Sequence, residues 1–156
     1  MLAAIRSLFS GPEPTGPTRL IRAFGAGDPT LSRAFMAVAG EARFAQVAET
    51  QSLRLYELEL PQLEAGRLAY RAEIKTQDLI GRAYLELWCR LPGQGEFFSK
   101  GLHAAISGSN DWTGHETPFA LKQGQMPDRA KLNLAVEGRG KVWIRAVELI
   151  FTPMDW

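Results

Sequence analysis

The chain has 156 residues, 46% of them hydrophobic and 22% charged, with a formal net charge of +1. That length suits one domain with its own core. The balanced charge gives no overall field for nucleic acid, which is excluded as a partner on this ground. A single cysteine, Cys89, rules out a disulfide within the chain and gives no sign of an oxidising compartment.

In residues 1–9, Leu2, Ile5, Leu8 and Phe9 fit one helical face, with Arg6 and Ser7 off it. The segment is too short for the core of a secretory signal. It reads as a contact with a membrane surface or as a tail docked on a partner, so the expected location is cytoplasmic and peripheral to a membrane. Residues 11–18 contain three prolines and two glycines, the composition of a linker or extended arm. A short apolar-basic patch with Leu20, Ile21 and Phe24 follows. Residues 1–30 are therefore expected to be an arm outside the core, and residues 31–156 the domain.

Residues 31–49 carry two patterns. Leu31, Phe35, Val38 and Ala42 fit helical spacing, whereas residues 44–48 alternate as a strand does. Residues 52–60 form a strand ending at Pro61. Residues 66–76 alternate, with Leu68, Tyr70, Ala72 and Ile74 inward. Residues 82–91 alternate without a break: Ala83, Leu85, Leu87, Cys89 and Leu91 on a dry face, and Tyr84, Glu86, Trp88 and Arg90 on a mixed aromatic-charged face. Residues 96–102 make a short strand and residues 107–113 a polar loop. Strands at 115–122, 130–137 and 141–151 complete the set, with Gly138-Arg139-Gly140 read as a tight hairpin. About eight antiparallel strands without a convincing long helix predict an all-β sandwich or barrel.

Four runs of residues resemble those of galactose-binding-like jelly-roll domains. They are Ala69-Tyr70-Arg71-Ala72-Glu73-Ile74-Lys75-Thr76, the turn Gly108-Ser109-Asn110-Asp111-Trp112-Thr113, the following His115-Glu116-Thr117-Pro118-Phe119, and the closing Gly140-Lys141-Val142-Trp143-Ile144-Arg145-Ala146-Val147-Glu148-Leu149. The resemblance spans residues 52–151 and implies a jelly-roll β-sandwich, to which the composition of residues 1–30 adds an extended N-terminal arm. Such domains serve as carbohydrate-binding modules, as accessory domains of regulators and proteases, and in an assembly factor of respiratory complex I. Where the family's closing strand carries paired aspartates that help hold a calcium ion, this chain has Arg145-Ala146. A guanidinium there opposes a cation, so no metal is expected at that place.

Catalysis is not expected. His103 and His115 lie in no metal-ligand or nucleophile-elbow spacing, and no helix follows either Gly-x-Gly turn to make a phosphate loop. No cofactor is implied. Trp, Tyr and Arg are enriched at binding hot spots, and aromatic rings stack on sugar faces, so the surface of Tyr84, Glu86, Trp88 and Arg90 is the first candidate for a partner or ligand. The alternative is that the arm covers it. Trp112 and Trp143 read as structural. Trp156 either folds back or meets a partner, and Arg129, Lys131, Arg139 and Lys141 read as a basic rim around the last hairpin. The expected function is an accessory or assembly subunit that docks on a larger, membrane-associated protein complex through Leu20, Ile21, Phe24, the Trp88 face and Trp156. The alternative is a carbohydrate-binding module with an aromatic concave face.

Overall fold

A computed structural model describes residues 11–156 except Glu64; the apolar face read in residues 1–9 lies outside the described residues. Eight strands follow one another: β1 (Arg19–Ala23), β2 (Met36–Val38), β3 (Ala42–Val47), β4 (Gln51–Glu59), β5 (Gly66–Leu91), β6 (Gly95–Lys100), β7 (Ile106–Leu121) and β8 (Arg129–Pro153). All the pairings are antiparallel. The expected all-β architecture of about eight antiparallel strands is what the chain forms.

Two strands organise the molecule. β5 and β8 pair along nearly their whole lengths, from Gly66 opposite Pro153 to Arg90 opposite Arg129. Midway the pair creases. The register shifts between Gln77 and Ile80, Asp78 takes a left-handed φ of 52°, and Gly81, Gly138 and Gly140 have φ of 106°, 124° and 149°. Beyond the crease one half-sheet is β6, β5, β8 and β4. The other is β7, β5, β8 and β3, with β2 outside β3 and β1 alongside the end of β8. The halves close on each other as the two layers of a sandwich. Leu85, Leu87, Leu132 and Leu134 of one layer and Leu68, Ile74, Ile144 and Leu149 of the other share one core and are essentially inaccessible.

Several expected boundaries change. The strands at 66–76 and 82–91 are one strand, because the crease bends the chain without breaking its pairing to β8. Gly138-Arg139-Gly140 is for the same reason no hairpin: it lies inside β8. The loop expected at 107–113 is part of β7 and pairs with β5 through irregular steps. The helical spacing of residues 31–42 yields no helix, and Phe35 goes into the core from an irregular segment.

Residues 19–24, grouped with the arm by composition, are built into the sandwich. β1 pairs with residues 148–151 of β8, and Phe24 stacks on Tyr56 with ring centroids 4.1 Å apart. The proline-rich segment before it runs beside the C-terminus, where Pro14 bridges Met154 and the Thr15 amide donates to the Pro153 carbonyl at 3.0 Å.

The crease leaves no room for side chains. A Cβ on Gly81 would lie 1.8 Å from the Glu137 carbonyl oxygen, and one on Gly138 1.9 Å from that of Ile80. Gly93, in a turn with φ of 78°, has open space around it. Gly81→Ala is therefore expected to destabilise the fold by about 2–4 kcal/mol, from overpacking plus left-handed strain. Gly93→Ala, with the strain alone, is expected to cost about 1–2 kcal/mol. Urea unfolding midpoints of the two variants check the difference.

Candidate functional site

The outward face of the layer made by β6, β5, β8 and β4 follows from the register. Glu86 lies opposite Asn133 and Lys100; Trp88 opposite Lys131 and Phe98; Arg54 opposite Asn133. These cross-strand neighbours share one side of the sheet. Ser52, Arg54, Glu86, Trp88, Glu96, Lys131 and Asn133 enclose an open cleft of about 270 Å³ on that face.

Glu86 is the centre of this arrangement. Its Oε1 accepts three hydrogen bonds, each from a different strand: Trp88 Nε1 on β5 at 2.8 Å, Asn133 Nδ2 on β8 at 3.0 Å and Ser52 Oγ on β4 at 2.9 Å. Burial opposes the negative charge, but the three donors outweigh it, with help from nearby Lys100, and hold the Glu86 carboxyl below its ordinary value. The other oxygen, Oε2, has no hydrogen bond among the described residues. The hydrogen bond fixes the half-buried indole of Trp88, whose ring also leans on Phe98 with centroids 4.9 Å apart and planes 43° apart. Lys131 Nζ is held by both Glu96 carboxylate oxygens at 3.1 Å. Arg54 lines the cleft with no ion pair among the described residues.

Of the residues expected here, Glu86 and Trp88 come together in the cleft. Tyr84 is sealed beside it: the residue is buried and its hydroxyl donates to Glu137 Oε1 at 3.2 Å. Arg90 stands at the far end, in a two-pronged pair with Asp128 at 2.8 and 2.7 Å. In the described part of the arm β1 pairs with the end of β8 in the other layer and Phe24 reaches Tyr56 of β4, and none of its residues lines the cleft. Ile21 packs against the core and Phe24 is part of it, whereas Leu20 is exposed. Trp156 folds back: its Nε1 donates to the Gly66 carbonyl at 3.1 Å, and Lys122 Nζ sits 4.0 Å from its ring centroid.

The expected basic rim also divides. Arg129 pairs with Glu57 at 3.4 Å and Lys131 joins the cleft wall, while Arg139 and Lys141 lie at the crease. Ser52, Arg54, Glu96, Phe98 and Asn133 went unread in the sequence. Their signal is the strand pairing, which a single chain of letters does not display. Neither histidine lines the cleft. Among the described residues no group of three or more His, Cys, Asp or Glu is placed to hold a metal ion. Arg145, at the position where the resemblance puts an acid, donates to Glu73 Oε1 at 2.8 Å.

No family model matches the chain, and no curated protein matches it. Solved structures do. The CBM22-1 xylan-binding domain from Paenibacillus barcinonensis Xyn10C aligns with a TM-score of 0.50 at 13% identity, over 89% of this chain and 98% of that one. A mutant of a carbohydrate-binding module of family 29 aligns with a TM-score of 0.53 at 15% identity, over 88% and 92%. A CBM4 structure aligns with a TM-score of 0.50 at 8% identity, over 72% of each chain. The likeness shows the fold. It is a jelly-roll β-sandwich, and at these identities the ligand is a separate matter.

Two outcomes follow for the residues of β5. Because the folded Glu86 carboxyl titrates below the unfolded one, its contribution to stability is full above the ordinary carboxylate pKa of about 4.3 and is lost as pH falls through the depressed folded value. Glu86→Gln is expected to cost about 1–3 kcal/mol at neutral pH and to flatten stability against pH in that acid window, measured by urea unfolding from pH 7 to pH 3. Cys89 faces the core, where burial pushes its thiol up to about 12. Iodoacetamide at pH 8 is expected to leave it unmodified in the folded protein and to alkylate it in urea, as read by intact mass.

Proposed function

We propose that the protein is a non-catalytic carbohydrate-binding module whose site is the Glu86–Trp88 cleft. The observation that carries this reading is an indole ring held by a buried carboxylate inside a cleft otherwise walled by hydrogen-bonding side chains. A pyranose ring presents an apolar C–H face and a rim of hydroxyls that both donate and accept. Trp88 supplies a flat apolar surface for the first. Glu86 Oε2, the Asn133 side-chain carbonyl oxygen and the Ser52 hydroxyl oxygen can accept from the rim, while Arg54 and Lys131 can donate to it. The cleft is at the small end of ligand sites, which suits one sugar ring of a longer chain lying across the open face. The jelly-roll neighbours described as carbohydrate-binding modules support the same class of ligand.

Glu86 acts here as a positioning group as well as a contact. It takes the indole N–H at one oxygen, so the ring plane is set before the sugar arrives and little order is lost on binding. Calorimetry or a glycan array with the full chain tests the proposal. Trp88→Ala is expected to weaken binding by about tenfold or more, as for the loss of a buried aromatic anchor. If no neutral glycan binds, or if Trp88→Ala and Glu86→Gln bind as the parent does, the cleft is not a sugar site.

One observation favours docking on a protein instead. Among the described residues β6 pairs only with β5, and its Phe97 and Phe98 are 44% and 52% exposed. A free strand edge with adjacent exposed aromatics is a surface that another chain can extend. In this reading the protein is an accessory or assembly subunit of a larger complex, cytoplasmic and peripheral to a membrane. Recovery of a protein partner that is lost on Phe97→Ser, in a chain that binds no glycan, would move the function there.

A further inference from the structure

The outward side of the opposite layer carries a second surface of different character. Val142 and Ile144 point into the core, which places Lys141, Trp143 and Arg145 outside. Pairing then sets one row across four strands. Phe44 on β3 lies opposite Trp143 on β8, and Trp143 lies opposite Lys75 on β5. Trp112 precedes Thr113 of β7, which pairs with Ile74. The groups touch: the Phe44 and Trp143 centroids are 4.9 Å apart, Lys75 Nζ is 5.3 Å from the Trp143 ring, and the Arg145 guanidinium is 3.9 Å from the Trp112 ring. All are partly exposed. At about 4.8 Å per strand the row is about 14 Å long.

Charge is distributed unevenly over this face. Arg145 is engaged by Glu73 at 2.8 Å and Arg71 by Glu148 at 2.7 Å. Lys75 and Lys141 have no carboxylate partner among the described residues. Past Lys141 the face opens into a groove of about 480 Å³ at the crease, lined by Gln46, Gln77, Ile80, Arg139 and Lys141, with Asp78 its only acid.

We infer that this face is a second binding site, distinct from the Glu86–Trp88 cleft, for a carboxylate-bearing glycan chain of the polyuronate class. The rings of Trp143 and Phe44 match apolar sugar faces. Lys75 and Lys141 meet carboxylates, and Gln46 and Gln77 meet hydroxyls. A neutral glycan would leave both ammonium groups unanswered. The inference does not require the cleft to be a sugar site, since the two faces share no residue.

The test uses the full chain with polygalacturonate as the probe, by affinity electrophoresis and calorimetry. Binding is expected to weaken about tenfold in the Lys75→Gln/Lys141→Gln double variant, from two lost charge-assisted contacts. It is expected to fall as sodium chloride rises from about 0.05 to about 0.5 M, and to be unchanged in Trp88→Ala. An unfolding midpoint equal to that of the parent confirms that the double variant is folded. The site is refuted if polygalacturonate does not bind, if the double variant binds it as the parent does, or if Trp88→Ala abolishes it. Retention of single-stranded DNA or phosphatidylserine vesicles in place of polygalacturonate also refutes it. Neutral-glycan binding without polyuronate binding removes this site and leaves the cleft reading standing.

Discussion

The close approach of two backbones at the crease is the constraint on which the molecule depends. β5 and β8 are too long to lie in one flat layer with a buried side, so they must fold across each other. They do so where Gly81 and Gly138 face each other with no space for a side chain. The bend turns one antiparallel ladder into two layers. It thereby gives Leu85, Leu87, Leu132 and Leu134 a partner surface in Leu68, Ile74, Ile144 and Leu149. Without it the apolar faces of the two halves would remain in water, at about 25 cal/mol for each Å² exposed. A second irregularity, where Ala146 takes a left-handed φ of 53° opposite the step from Arg71 to Glu73, adjusts the end of the same pair.

The cleft is a consequence of that geometry combined with one buried carboxylate. Glu86 belongs on a solvent-facing position by alternation, yet it is only 6% exposed. A charge at such a position is tolerated because donors from three strands converge on it. Those donors also lock the strands laterally, so a single group serves both the stability of the layer and the orientation of Trp88. The opposite layer solves its surface differently, by laying cations over aromatic rings, as Arg145 does on Trp112 and Lys75 on Trp143.

Much of the fold was legible because β structure writes its burial into a period of two. Leu68, Tyr70, Ala72 and Ile74, and then Ala83 to Leu91, fall inside as alternation requires. What misled was glycine. Gly138 and Gly140 carry the composition of a turn, and a crease needs the same conformational freedom as a turn, so the two are indistinguishable without knowing what lies opposite. Prolines and glycines before residue 19 likewise suggested an arm, although β1 only needed an open edge of β8 to become part of the sheet.

The candidate site was half legible. Glu86 and Trp88 stand out within one strand because their alternation is visible along the chain. Ser52, Arg54, Glu96 and Asn133 lie on three other strands, and nothing in their local sequence marks them. By itself the sequence determined the β class, the inward residues of the long strands and the chemistry available at Glu86 and Trp88. Those properties depend on side-chain type and period alone. Only the tertiary structure decided that Tyr84 and Arg90 are engaged elsewhere, that Phe24 is core and that Trp156 folds back. It also decided that three donors meet on one carboxylate oxygen, because register across strands is fixed by long-range packing.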